Sequence, residues 1–313
     1  MTDDSGWLPT EHSYDAGSQP QAAAARTGFP ALLQAARSLP LRGSCLRLAD
    51  LGCGQGANSL APVQLALNEL RRRTARPIEV VHTDLEGNDF GATLRMARSY
   101  QGPGIFSSAR AGSFYEALFP PASVHLAWCA TATHWLSRAP APQHRSGLAQ
   151  AEARRLWSEQ ARQDWERWLA CRATELVRGG QVVVVGSGTD RFGRTGTEGL
   201  LQMVSDCLPE GLVLPTYHRR LEEWLAPLGG ELELLEASEP AMAEPFWEDL
   251  QRSGDRQVYA DSVVGFVLAS LAQAVLGPQN RSLFVQRLRE RVLARPEQAR
   301  CRWWVTVLRL RRR

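Results

Sequence analysis

Asp50-Leu51-Gly52-Cys53-Gly54-Gln55-Gly56-Ala57-Asn58 is the segment best equipped for chemistry. Its alternating glycines let a backbone turn sharply and approach a ligand where a Cβ would clash. Alone, such a turn serves NAD, FAD or S-adenosylmethionine equally, and a plain tight turn also satisfies it. Thr83-Asp84-Leu85 narrows the choice, because an acid at the end of a second strand hydrogen-bonds a ribose diol in nucleotide-binding sheets. Dinucleotide folds place a last glycine beneath a pyrophosphate at the helix N-terminus, but Ala57-Asn58 stands there. Asp50, ahead of the turn, would repel a phosphate and welcome an ammonium. The pattern favours S-adenosylmethionine, a cation without phosphate, over a dinucleotide.

These residues need elements to hold them. CLRLADLG (45–52), IEVVHTDL (78–85), GIFSSARAG (104–112) and SVHLAWCAT (123–131) read as strands, and GGQVVVVGSG (179–188) as a fifth opened by a Gly pair. ELELLEA (231–237) and CRWWVTVLRLR (301–311) complete the sheet. SLAPVQLALNELRRR (59–73) carries apolar residues three and four apart, and a long helix is expected over 147–178. Strand–helix–strand repetition implies a doubly wound, mostly parallel, Rossmann-like α/β sheet with right-handed crossovers. The whole chain, 1–313, reads as one unit. Its core sheet is expected over 22–136, 179–190, 229–238 and 300–313, and its N-terminal lid over 1–21. Residues 137–178, 190–228 and 240–298 are too long for simple connections, so a helical cap over the strand ends is expected from them.

Composition removes several classes. The net charge of +3 is too small to imply nucleic acid, and all 36 basic residues are Arg. No apolar run approaches the ~18–20 residues of a membrane helix, and the acidic, polar MTDDSGWLPTEHSYDAG is no secretory signal. A cytoplasmic protein is expected, with no membrane or nucleic-acid partner. The six Cys form no CxxC pair and the six His no HExxH or HxH pair, so no metal site or disulfide framework is expected.

Further segments carry a resemblance. GNDF (87–90) follows Asp84-Leu85; then come GSFYEALFP (112–120), THWLS (133–137) and WSEQARQDWERWLACRATELVRGGQVVVV (157–185), with SYDAGSQPQ (13–21) ahead of them all. With the Gly-rich turn, these resemble the SABATH family of S-adenosylmethionine-dependent carboxyl methyltransferases, closely over 13–190 and loosely over 210–313. The resemblance implies a class I methyltransferase fold with S-adenosylmethionine as cofactor and S-adenosylhomocysteine as product. A small carboxylic acid is the implied substrate, and a homodimer the common assembly. It also implies that Tyr14, Ser18, Asp50, Gly52 and Asn58 contact the methionine end and that Asp84 holds the ribose. Leu85 would pack on the adenine and Ser113 and Phe114 bracket it; Cys129, at the family's paired serines, joins the cofactor set. Gln21 and Trp135 would donate to the acid's carboxylate, and His134 would line the same pocket.

The sequence departs from the family pattern at Glu86, Gly91, Cys129-Ala130 and Thr131, the last three on the substrate side of the fourth strand. A carboxylic acid ionises near ~4, so it needs no general base, and alignment can supply about 7–11 kcal/mol. Two other classes compete. A phenol or ring-nitrogen methyltransferase would want a base, for which His134 is the candidate. A cofactor-binding regulatory protein would need no carboxylate donors.

Overall fold

Short aliphatic runs buried on both faces become parallel strands because covering helices leave them no wet side. In the computed structural model, which describes residues 17–140, 150–208, 214–272 and 278–313, these are β1 (Leu46–Leu51), β2 (Ile78–Asp84), β3 (Ile105–Ala111), β4 (Val124–Ala130) and β5 (Leu176–Gly188). With β6 (Leu232–Ser238) and β7 (Trp304–Arg312) they form one sheet of order β3-β2-β1-β4-β5-β7-β6. The first five run parallel, and β7 lies antiparallel between β5 and β6. The chain moves outward from β1 to β3 and then returns to β4 on the other side of β1. The crevice above β1 and β4 is thus the switch point at which open α/β sheets bind ligands. The seven strands fall where the sequence pattern places them.

Helices α1 (Gln19–Thr27), α2 (Phe29–Ser38) and α3 (Ala57–Arg73) pack their Ala and Leu faces on Leu48, Val80, Leu126 and Val183 of one sheet face. The short α4 (Phe90–Ala97) follows β2, started by Asp89, whose side chain accepts from Ala92 N at 2.9 Å. The opposite sheet face is covered by α5 (Gln150–Glu175), whose Trp165, Trp168 and Leu169 share a core with Ala127, Val182 and Val184.

This corrects the expected cap. The helical part of 137–178 is a layer of the sheet sandwich, ending at Glu175 where β5 begins. Trp224 of the later α7 (Leu221–Leu225) joins the same core. It lies so close over β5 that a Cβ on Gly186 would sit 2.2 Å from its ring. The tryptophans of this helix are the sheet's packing: Trp165 stacks on Trp168 at 4.9 Å and meets Trp224 edge-on at 4.8 Å. The cap that remains is α6 (Glu198–Asp206), α8 (Pro245–Ser253), α9 (Arg256–Val267) and α10 (Pro278–Ala294). It has its own core of Met203, Tyr259, Val263, Phe284 and Leu288, with no sheet strand in it.

Candidate active site at the switch point

β1 delivers the glycine turn into the crevice. Gly52, Gly54 and Gly56 take φ of 77°, 54° and 103°, a region other residues adopt only with strain. The approach is also close, since a Cβ on Gly52 would lie 2.6 Å from Ala132 Cβ and 3.6 Å from the Phe114 ring. Gly52 N and Cys53 N both donate to Thr83 O, at 2.9 and 3.0 Å, tying the turn to the end of β2. Asp84 completes the join, with Oδ2 accepting from Gly54 N at 2.7 Å and Oδ1 from Leu85 N at 2.8 Å. Burial pushes its carboxyl above the ordinary range, against the pull of those two N–H groups. Each oxygen retains a second lone pair, which is what a ribose diol needs.

Two residues overlooked in the sequence lock this turn. Asn88 Nδ2 and Thr93 Oγ1 both donate to Gly54 O, at 2.8 and 2.9 Å. Asn88 was visible as the second letter of GNDF, but nothing local revealed its partner. Beside them, the Cys53 thiol is pushed well up by burial and then by the Asp50 and Asp84 carboxylates, so it is no nucleophile.

A cleft opens at this point, lined among others by Asp50, Gly52, Asn58, Trp128 and Thr131. Asn58 Nδ2 reaches Ser18 O at 3.5 Å, so the turn holds the N-terminal segment in place. Ser18 is buried. Gln21, on α1, is also buried; its Nε2 donates to Ser270 Oγ at 3.1 Å and its Oε1 is buried without a partner among the described residues. Ser270 takes one of the two amide hydrogens, which leaves one for a ligand. Tyr14 lies outside the described residues.

Ser113 and Phe114 follow β3 and sit by Asp84, because Gly112 N donates to Asp84 O at 2.9 Å. Phe114 packs edge-on against Tyr115 at 4.7 Å. Behind them a buried ion pair holds the loop: Arg172 Nε meets Glu175 Oε2 at 2.7 Å. Arg172 donates to Phe114 O at 3.0 Å, and Leu118 N donates to Glu175 at 2.6 Å. Leu85, 45% exposed, stands at the same edge with apolar surface available for a ring. Cys129 is different. It is fully buried on the sheet face away from Asp50 and Trp128, in the core that α5 covers. Register explains this, since Asp50 pairs with Trp128 and Leu51 with Cys129, and neighbouring residues of a strand point to opposite faces. Its assignment to the cofactor set is withdrawn.

After β4 the chain turns through Thr131, at φ 52°, into Thr133–Ser137. Every residue of this wall is pinned. Buried Arg219 donates to Thr133 O and Ala161 O, both at 2.7 Å. Tyr217 N donates to His134 O at 2.8 Å, Tyr115 OH to Trp135 O at 2.6 Å, and Ser137 N to Asp164 at 2.8 Å. The His134 ring lies 5.5 Å from Trp135 and stacks on His218 at 5.7 Å, with Nδ1 3.4 Å from Ser187 Oγ. Burial, then His218 and Arg219, push His134 down to about 3. His218 is pushed to about 4 by burial and Arg219, against the pull of Glu198. Both rings are neutral near pH 7. Arg219 and His218 carried no sequence signal, since their partners are remote in the chain.

The cleft fits a sulfonium amino-acid nucleoside: a carboxylate at its floor, a second at the end of β2, and a glycine backbone that a Cβ would obstruct. Comparisons with known proteins agree. Residues 9–214 match the family model of SAM-dependent carboxyl methyltransferases. Gibberellic acid methyltransferase 2 of Arabidopsis thaliana is 29% identical over 67% of this chain and 67% of its own length. 7-methylxanthine methyltransferase 1 of Coffea canephora is 29% identical over 56% of the chain and 55% of its length. The structure of a loganic acid methyltransferase with SAH superposes with a TM-score of 0.79 at 20% identity, covering 98% of both chains. The chain therefore belongs to the SABATH family of S-adenosylmethionine-dependent carboxyl methyltransferases.

Proposed function

We propose that the chain esterifies the carboxylate of a small, largely apolar acid, of aromatic, indolic or related type, with Gln21 and Trp135 as the donors that orient it. The cofactor supplies a methyl group already activated on sulfur. The protein's own task is to hold one carboxylate oxygen and aim the other in line, excluding water from the contact. The donors must hold loosely enough to let the carboxylate lose its charge in the transition state. Asp50, Ser18 and Asn58 are proposed at the methionine end, Asp84 at the ribose, and Leu85, Ser113 and Phe114 about the adenine. The acid's apolar body is placed against the apolar lining of Pro20, Trp247, Tyr259 and Phe266 in the cap.

One observation carries the choice of nucleophile. His134, the base that a phenol or ring nitrogen would require, is pushed down to about 3, far from the range in which a base works at neutral pH. An acid, ionised already, is indifferent to it. Methyl-labelled cofactor incubated with carboxylic acids, phenols and xanthine-like heterocycles tests this. Labelled methyl esters from an acid are expected. Label on a phenol or ring nitrogen alone, or binding without turnover, would overturn the proposal.

A further inference from the structure

Beneath the cleft floor lies a buried hydrogen-bonded chain that the transfer reaction does not itself use. Asp50 and His82 are register partners on β1 and β2 and point to the same sheet face. Both are buried, at 2% and 1% exposure. His82 Nδ1 lies 2.7 Å from Asp50 Oδ2, and His82 Nε2 contacts Tyr100 OH. Ser107 Oγ reaches Tyr100 OH at 3.4 Å. The directions follow from the acceptors: an ionised carboxylate only accepts, so Nδ1 carries the hydrogen and Nε2 accepts from the tyrosine. Burial raises the Tyr100 phenol, which keeps it protonated and a donor. Ser107 thus donates to Tyr100, Tyr100 to His82 and His82 to Asp50, which ends the chain at the cleft as its acceptor.

Among the described residues, Asp50 makes its ion pair with His82 alone, in a chain with 36 Arg. The buried carboxylate is thus met by an imidazole rather than a guanidinium. We propose that His82 and Tyr100 are positioning residues for cofactor binding, holding one oxygen of Asp50 so that the other receives the α-ammonium of S-adenosylmethionine. The proposal rests on the assignment of Asp50 to the methionine end. Asp50, Cys53 and His82 also bring potential metal ligands within 4.8 Å of one another. Both imidazole nitrogens are already engaged and the thiol is held protonated by burial, so the trio reads as a hydrogen-bonded wall.

The test measures binding of S-adenosylhomocysteine, and of its analogue lacking the α-amino group, to the full chain carrying His82→Leu, His82→Asn or Tyr100→Phe. His82→Leu should weaken S-adenosylhomocysteine about tenfold and leave the deaminated analogue unchanged. KM for S-adenosylmethionine should rise by the same factor, with kcat held. His82→Asn, whose amide nitrogen takes the Nδ1 position, should recover most of the affinity. Tyr100→Phe, which deletes only a hydroxyl, should cost roughly threefold and keeps the test usable if His82→Leu does not fold. His125→Leu is the control. His125 is buried likewise but among the described residues bonds Arg47 N and Arg42 O alone, both at 3.1 Å, so its loss should lower Tm without touching affinity. Loss of both ligands in equal measure, or of neither, would overturn the proposal, as would zinc raising the Tm of wild type but not of His82→Leu. Wild-type protein that binds the deaminated analogue as tightly as the full product would instead remove Asp50 from the methionine end.

Discussion

Asp84 does two jobs at once, and a substitution there separates them from packing. Its oxygens accept from Gly54 N and Leu85 N, so Asp84→Ala removes the proposed ribose partner and strands two amides. An unsatisfied buried polar group costs about 1–3 kcal/mol. S-adenosylhomocysteine affinity measured by calorimetry should fall about 10- to 100-fold, and unchanged affinity would exclude Asp84 from the ribose. Among the described residues the hydrogen bonds of Trp135 are made by its backbone, from Tyr115 OH and to Ala132 O at 3.0 Å, while its ring lies 5.5 Å from that of His134. Trp135→Phe keeps the ring and deletes one donor. A hydrogen bond to a charged group contributes about 1.5–3 kcal/mol, so kcat/KM for the acid should fall roughly 10- to 150-fold with cofactor affinity intact. Equal activity would show that the indole N–H does not touch the acid.

At the scale of elements, α5 holds the loop after β3 through one buried pair. Arg172 and Glu175 are each 1% exposed and reach back to Phe114 O, Leu118 N and Phe119 N. Breaking such a pair leaves a buried charge, at a cost of about 3–5 kcal/mol. Glu175→Gln should therefore lower stability by roughly that amount in chemical denaturation and weaken cofactor binding through Phe114; a shift below about 1 kcal/mol would mean the pair behaves as if solvated. The strands were legible because aliphatic runs closed by glycine have few alternatives, and Asp84 because its place at a strand end is a local fact. Arg219, Asn88 and His82 were not legible, because each satisfies a group far away in sequence and periodicity does not say which carbonyl or carboxylate is left over. The length of 137–178 misled for a related reason: it suggested a cap, whereas the sheet face needed the bulk of α5 and its tryptophans.

Across the whole molecule the cap and the sheet are separate cores joined at few places, and the N-terminal segment is one of the seams. Gly17 lies so close to α9 that a Cβ there would meet Gly265 O at 2.7 Å, and Gln21 bonds Ser270. The stacked His134 and His218 form a second kind of seam, within the sheet's own side, between the wall after β4 and the segment leading into α7. Their protonation therefore tests the assembled molecule. Both are depressed when folded, to about 3 and about 4, against ~6.5 in the unfolded chain. Between those values the unfolded chain binds protons that the folded one refuses, so stability rises with pH there. The contribution is complete above about pH 6.5 and is lost as pH falls toward 4, by up to about 1.4 kcal/mol per pH unit for each ring. Asp190, Glu198 and His125, also depressed, add slope of the same sign, while Asp84, raised, opposes it. The contribution of the pair is thus read as a difference. Urea denaturation from pH 4.5 to 7.5 should give a shallower rise in stability for His218→Asn than for the native chain, with the curves converging at acid pH. Parallel curves over that range would mean that His218 titrates alike in both states and that the seam stays wet.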